Sequence, residues 1–217
     1  MKLDLKFFGG RGSDSGGWDA PSGGSDQPAN IKEEKSLISA RETKPKEVDE
    51  VLTTLKTMTD QYGVSVDDVN IAVMGAGSRN VLGYFSSEGN LGINQAFFNE
   101  EKMSKSYDDC VKQGFHPGRG NKSALEAVAA HEYGHSIAHK IAGGWGGKYD
   151  NLCNKITQEA GKTLGYKKFN DFAGKISGYA TDSSSECIAE AFADVYCNGS
   201  RATKESQALV NTVKKYL

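Results

Sequence analysis

The chain lacks any apolar run long enough to cross a bilayer as a helix, which takes about 20 residues. Its start, from Met1 to Phe8, has no adequate apolar stretch and carries Asp4 and Lys6 inside it, so no secretory signal peptide is expected. Cysteine is scarce. Cys110, Cys153, Cys187 and Cys197 are widely spaced and form no C-x-x-C pair, which argues against a cysteine metal site. With no export signal, they are expected to be reduced thiols. Excess charge of one sign is also missing: 26 basic residues against 28 acidic ones leave a formal net charge of −2. No nucleic-acid footprint is therefore visible. A hydrophobic content of 37% with 25% charged residues suits a modest soluble globule diluted by a polar tail. A length of 217 residues holds one domain of ordinary size plus extensions.

Residues 1–30 stand apart. Gly9 to Gly17 and Pro21 to Asp26 have linker composition, with too little apolar surface to offset the entropy of ordering. A disordered Gly/Ser-rich tail is expected over 1–30, and one domain over 31–217. Within the tail, Leu3 to Phe8 alternates briefly and could dock as a strand on the edge of a partner.

The domain opens with an amphipathic pattern. Pro45 suits a first helical turn, and Val48, Val51, Leu52, Leu55 and Met58 follow at helical intervals up to Gly63. Val69–Met74, Val81–Phe85 and Leu91–Phe97 read as strands, the last two joined by a turn at Glu88-Gly89-Asn90. Gly114 to Gly120 reads as a loop, in which His116 is a loop residue rather than a ligand. Helices are expected at about Tyr149–Leu164 and over roughly 202–217.

The pentapeptide His131-Glu132-Tyr133-Gly134-His135 is an H-E-x-x-H motif. It lies inside a helical pattern. Ser123 and Glu126 form a capping box at its start, Leu125, Val128, Ala129, Ile137 and Ile141 recur at helical spacing, and Gly143-Gly144 ends it. Two histidines four residues apart differ by about 40° around a helix axis, so both imidazoles can reach one ion. Glu132 can hold a water beside that ion. Two satisfied core histidines are the plainer alternative. His139, one turn further on, drifts off the shared face.

A catalytic zinc takes three protein ligands and keeps a position for water. The third is expected from a downstream helix. Ser183 to Tyr196 fits, with serines and Asp182 as caps and Ile188, Ala189, Phe192 and Val195 as an apolar stripe. Glu186 and Glu190 lie one turn apart on one face. Glu186 is the candidate ligand, and Glu190 the candidate partner of a zinc-bound histidine. A solvated helix face is the alternative for both.

H-E-x-x-H followed about fifty residues later by a helical glutamate resembles the gluzincin zinc metallopeptidases. Tyr179, Glu186, Ala189, Glu190, Ala191 and Phe192 together look like the catalytic domain of anthrax lethal factor and its relatives. The same Glu-x-x-Ala-x-x-Phe-Ala reading is similar to the peptidases that cleave phage repressors. Gly114-Phe115-His116-Pro117 before H-E-x-G-H, and Leu3 to Gly10, resemble phage-associated zincin domains and phage structural proteins. The likeness covers roughly residues 64–198, and Cys187 departs from it where an aromatic residue is usual.

The resemblance implies an α+β zincin-like fold, a small mixed sheet over a helical lower half. Residues 91–96 would be the strand nearest the cleft. It implies one Zn2+ on His131, His135 and Glu186, with Glu132 as general base and Tyr179 as oxyanion donor. The activity implied is a zinc-dependent endopeptidase acting on protein or peptide, phage or prophage encoded, cytoplasmic in a bacterial host or virion-associated. Alternatives are a virion-associated structural protein without turnover and a dedicated toxin or repressor-cleaving regulator.

Overall fold

The computed structural model describes residues 45–66, 69–72, 83–85, 91–94, 100–144 and 146–217. The tail over 1–30, its docking strand and the turn at residues 88–90 lie outside the described residues.

Helix α1 (Pro45–Tyr62) is followed by three short strands, β1 (Val69–Ala72), β2 (Gly83–Phe85) and β3 (Leu91–Asn94). The rest is helical: α2 (Glu100–Lys112), α3 (Ala124–Ala142), α4 (Gly147–Thr163), α5 (Phe169–Ala173), α6 (Ser184–Asn198) and α7 (Lys204–Val213), with single 3₁₀ turns at Tyr179–Thr181, Gly199–Arg201 and Lys214–Tyr216.

This corrects the expected α+β zincin-like class with its small mixed sheet: the described residues are mostly helical. Among the described residues the strands are only four, three and four residues long, too little to make a layer above a helical half. Glycine is one reason. Gly83 of β2 pairs with Ile93 and Gly92 of β3 pairs with Tyr84, and each glycine offers no side chain to pack and costs more entropy to order. β3 lies between β1, parallel, and β2, antiparallel. Both of its edges are paired, so the substrate-strand role expected for residues 91–96 is also corrected; residues 95–96 lie outside the described residues.

The core is made by helices. Small residues let them approach closely: Ala127, Ala129, Ala130 and Ala138 of α3 and Ala189, Ala191 and Ala193 of α6 are all buried, and the two helices pack against each other. Helix α1 packs on this pair. The Tyr62 ring meets Tyr133 at 6.2 Å and Phe192 at 5.0 Å, and the Tyr133 hydroxyl donates to the Val64 carbonyl at 2.6 Å. Helix α2 has a sequence signal of its own, since Met103, Tyr107 and Cys110 recur at helical intervals and are buried. Among the described helices none is long and apolar enough to cross a membrane.

Candidate metal centre

Two caps fix the helices that carry the site. The Ser123 hydroxyl accepts from the Glu126 N–H at 3.0 Å, and the Glu126 carboxylate accepts from the Ser123 N–H at 2.9 Å. Gly143, at φ 71°, ends α3 in the left-handed region that glycine enters without penalty. On α6, the Ser183 hydroxyl accepts from the Glu186 N–H at 3.1 Å, which sets Glu186 in the first turn.

The structure brings His131, His135 and Glu186 together as a group that could hold a metal ion. Their donor atoms form a nearly equilateral triangle. His131 Nε2 and His135 Nε2 are 3.2 Å apart, and Glu186 Oε2 lies 3.2 Å from the first and 3.4 Å from the second. Zinc bonds of about 2.0–2.1 Å in a tetrahedron place neighbouring ligands about 3.3–3.4 Å apart. Two imidazole nitrogens at such range need a shared proton or a shared cation between them. Imidazole with carboxylate is also a donor set suited to zinc.

The electrostatics point the same way. Burial would lower the His131 pKa, but hydrogen bonds to Glu186 and Glu190 override it and hold the imidazole up at about 10. Burial would raise Glu186, yet His135 and His131 keep it well below the usual carboxylate range. The pocket therefore favours positive charge at this point.

Glu190 Oε1 lies 2.8 Å from His131 Nδ1. With Glu190 accepting from Nδ1–H, the Nε2 lone pair is left facing the triangle. His135 is held more loosely, its Nδ1 3.5 Å from the Tyr149 hydroxyl. No local pattern marks Tyr149 for this contact, since it stands on another helix, fourteen residues further along. His139 is not in the group; its ring packs edge-on against Phe85 at 5.3 Å.

Glu132 is 1% exposed, and neither carboxylate oxygen has a hydrogen-bond partner among the described residues. Burial, the largest influence, pushes its pKa up to about 7. Strand β2 closes over it: a Cβ at Gly83 would lie 2.8 Å from Glu132 Oε1. Tyr179 is buried, and its ring stacks on His131 with centroids 6.0 Å apart and planes 21° apart. Burial lifts its phenol well above the usual value.

His116 proves to be more than a loop residue. Its Nδ1 is 3.1 Å from both Glu190 oxygens, and the Ser177 hydroxyl donates to Glu190 Oε2 at 2.7 Å. Contacts across 74 and 13 residues leave no local pattern in a sequence. No family model matches the chain, and no curated protein or solved structure matches it either.

Proposed function

We propose that this chain is a zinc-dependent endopeptidase with a gluzincin-like donor set. The observation that carries the reading is the triangle of His131 Nε2, His135 Nε2 and Glu186 Oε2 at 3.2, 3.2 and 3.4 Å. Structural zinc takes four protein ligands and catalytic zinc three. The group found among the described residues has three, which favours catalysis over a purely structural ion.

A zinc ion held by these residues supplies Lewis acidity and brings the pKa of a water toward neutrality. Glu132 takes a proton from the water attacking the peptide carbonyl and delivers it to the leaving nitrogen. The Tyr179 hydroxyl donates to the oxyanion. Strand β2 is the backbone edge beside the base, since Gly83 abuts Glu132 and β2 pairs on one side only among the described residues. An extended peptide adds there by strand pairing. The substrate is a protein or peptide, and a phage or prophage origin fits the motifs around residues 114–117.

The test is metal analysis of the wild type beside His135→Ala, with a mixed-peptide cleavage assay on both. Stoichiometric zinc and cleavage in the wild type, both lost in the variant, are expected. Zinc content that does not change with His135→Ala would overturn the reading. Zinc without cleavage of any peptide would favour the virion-associated structural alternative.

A further inference from the structure

Glu190 is a buried carboxylate with three side-chain neighbours: His131, His116 and Ser177. Only His131 belongs to the metal group. The other two come from segments that carry no candidate ligand, and those segments are tied to each other. Gly178 N–H donates to the Gly114 carbonyl at 2.7 Å, and Tyr179 N–H donates to the Phe115 carbonyl at 3.0 Å. Gly178 permits this close approach, because a Cβ there would lie 3.1 Å from the Gly114 oxygen. The two strips of backbone thus form a bracket with His116 at one end, Ser177 at the other and Tyr179 beside them.

We propose that His116 and Ser177 are positioning residues of the metal centre, locking Glu190 in the orientation in which it holds His131 for metal binding. The inference rests on the metal reading above and extends it to a layer of residues that no motif marks. Geometry supports it. Glu190 Oε1 serves His131 at 2.8 Å, Oε2 takes the Ser177 hydroxyl at 2.7 Å, and His116 Nδ1 spans both oxygens at 3.1 Å. A carboxylate held from three directions cannot rotate away from His131. The His116 ring is itself clamped, stacked on Tyr107 at 5.3 Å with planes 10° apart. Partners of this kind typically change metal affinity 10–100-fold when removed, an order-of-magnitude figure.

Two substitutions separate positioning from packing. His116→Phe keeps a ring against Tyr107 and removes the donor. His116→Asn loses the ring and keeps an N–H near the Nδ1 position. Zinc affinity would be measured by competition with a chromophoric chelator, alongside the melting temperature of the metal-free protein. The expected result is zinc affinity about 10–100-fold weaker in His116→Phe, largely restored in His116→Asn, with melting temperatures that do not follow this order. The reverse order, with Asn the weaker binder, would mean that the ring matters only for packing and would overturn the proposal. Should His116→Phe fail to fold, Ser177→Ala makes the same test from the other side, and unchanged affinity there overturns it. A wild type that takes up no stoichiometric zinc sinks the metal reading and this proposal together. A wild type that binds zinc tightly, with both His116 variants unaffected, sinks this proposal alone.

Discussion

The backbone of Gly134 in α3 lies directly against that of Ala189 in α6: a Cβ at position 134 would sit 2.7 Å from the Ala189 Cα and 3.2 Å from the Phe192 Cβ. His131 and His135 flank Gly134 on one helix, and Glu186 and Glu190 flank Ala189 on the other. The crossing point of the two helices is therefore the midpoint of the site. The second x of the H-E-x-x-H spacing, Gly134, is not a free position here.

Gly134→Ala tests this. Alanine is the better helix former by about 1 kcal/mol. The neighbour it would strike is backbone, however, and overpacking a core costs about 1–3 kcal/mol. The variant is expected to melt below the wild type and to bind zinc more weakly, because separating the helices draws Glu186 from the histidines. Melting curves and zinc titration check both. An unchanged or raised melting temperature would show that the helices are not in contact at this point.

Gly83→Ala probes the opposite case. Here the obstructed atom is the end of the Glu132 side chain, which can move, although the Gly92 carbonyl at 3.1 Å leaves little other room. Displacing the base should lower kcat by an order of magnitude or more while zinc content stays at the wild-type level. A proton transfer needs heavy atoms within about 2.6–3.2 Å, so a small shift is enough. Equal kcat in the two proteins would mean that Glu132 does not carry the proton from its position under β2.

Glu132→Gln and Tyr179→Phe address the chemistry. Glu132 is outside the metal group, so Glu132→Gln is expected to abolish turnover and retain zinc. Tyr179→Phe keeps the ring that stacks on His131 and removes the hydroxyl. Loss of one oxyanion donor typically slows kcat by about 10²–10³. Full activity in Glu132→Gln would remove it from the mechanism. A Tyr179→Phe enzyme with wild-type kcat would restrict Tyr179 to packing.

What was legible in the sequence was local. The Ser123–Glu126 capping box, the glycine stop at Gly143 and the serine cap before Glu186 are short-range patterns, and each forms as its spacing implies. The histidine pair follows from helix geometry alone. Helix α2 is weakly marked although Met103, Tyr107 and Cys110 carry its periodicity, because acidic, basic and hydroxyl residues between them dilute the stripe. The three strands lie inside the segments that alternation marks, and the remaining residues of those segments, 73–74, 81–82 and 95–97, lie outside the described residues. Pairing order is non-local, so the central place of β3 between β1 and β2 could not be seen. His116 and Tyr149 reach the site by tertiary contact alone, one with Glu190 and the other with His135.

The start of α3 carries a pH dependence that can be separated from the metal. Glu126 accepts from the Ser123 N–H at 2.9 Å, from Lys122 Nζ at 2.8 Å and from the Tyr196 hydroxyl at 3.1 Å. Burial would raise its pKa, but Lys122, the Ser123 N–H and Tyr196 outweigh burial and leave it below 4.5. A carboxyl depressed on folding contributes stability above its unfolded pKa, and that contribution is lost as pH falls through the folded value. Glutamine at this position keeps one acceptor oxygen and loses the charge that Lys122 faces. Glu126→Gln should therefore melt below the wild type at neutral pH, and the gap should narrow as pH drops below about 4.5. Ser123→Ala, which deletes the other half of the box, should cost about 1 kcal/mol, and its gap should not close in the same way, because a hydroxyl does not titrate there. Denaturant melts of the three proteins between pH 7 and pH 3 distinguish the two. A Glu126→Gln gap that stays constant across the range would show that the carboxylate contributes through its shape and not through its charge.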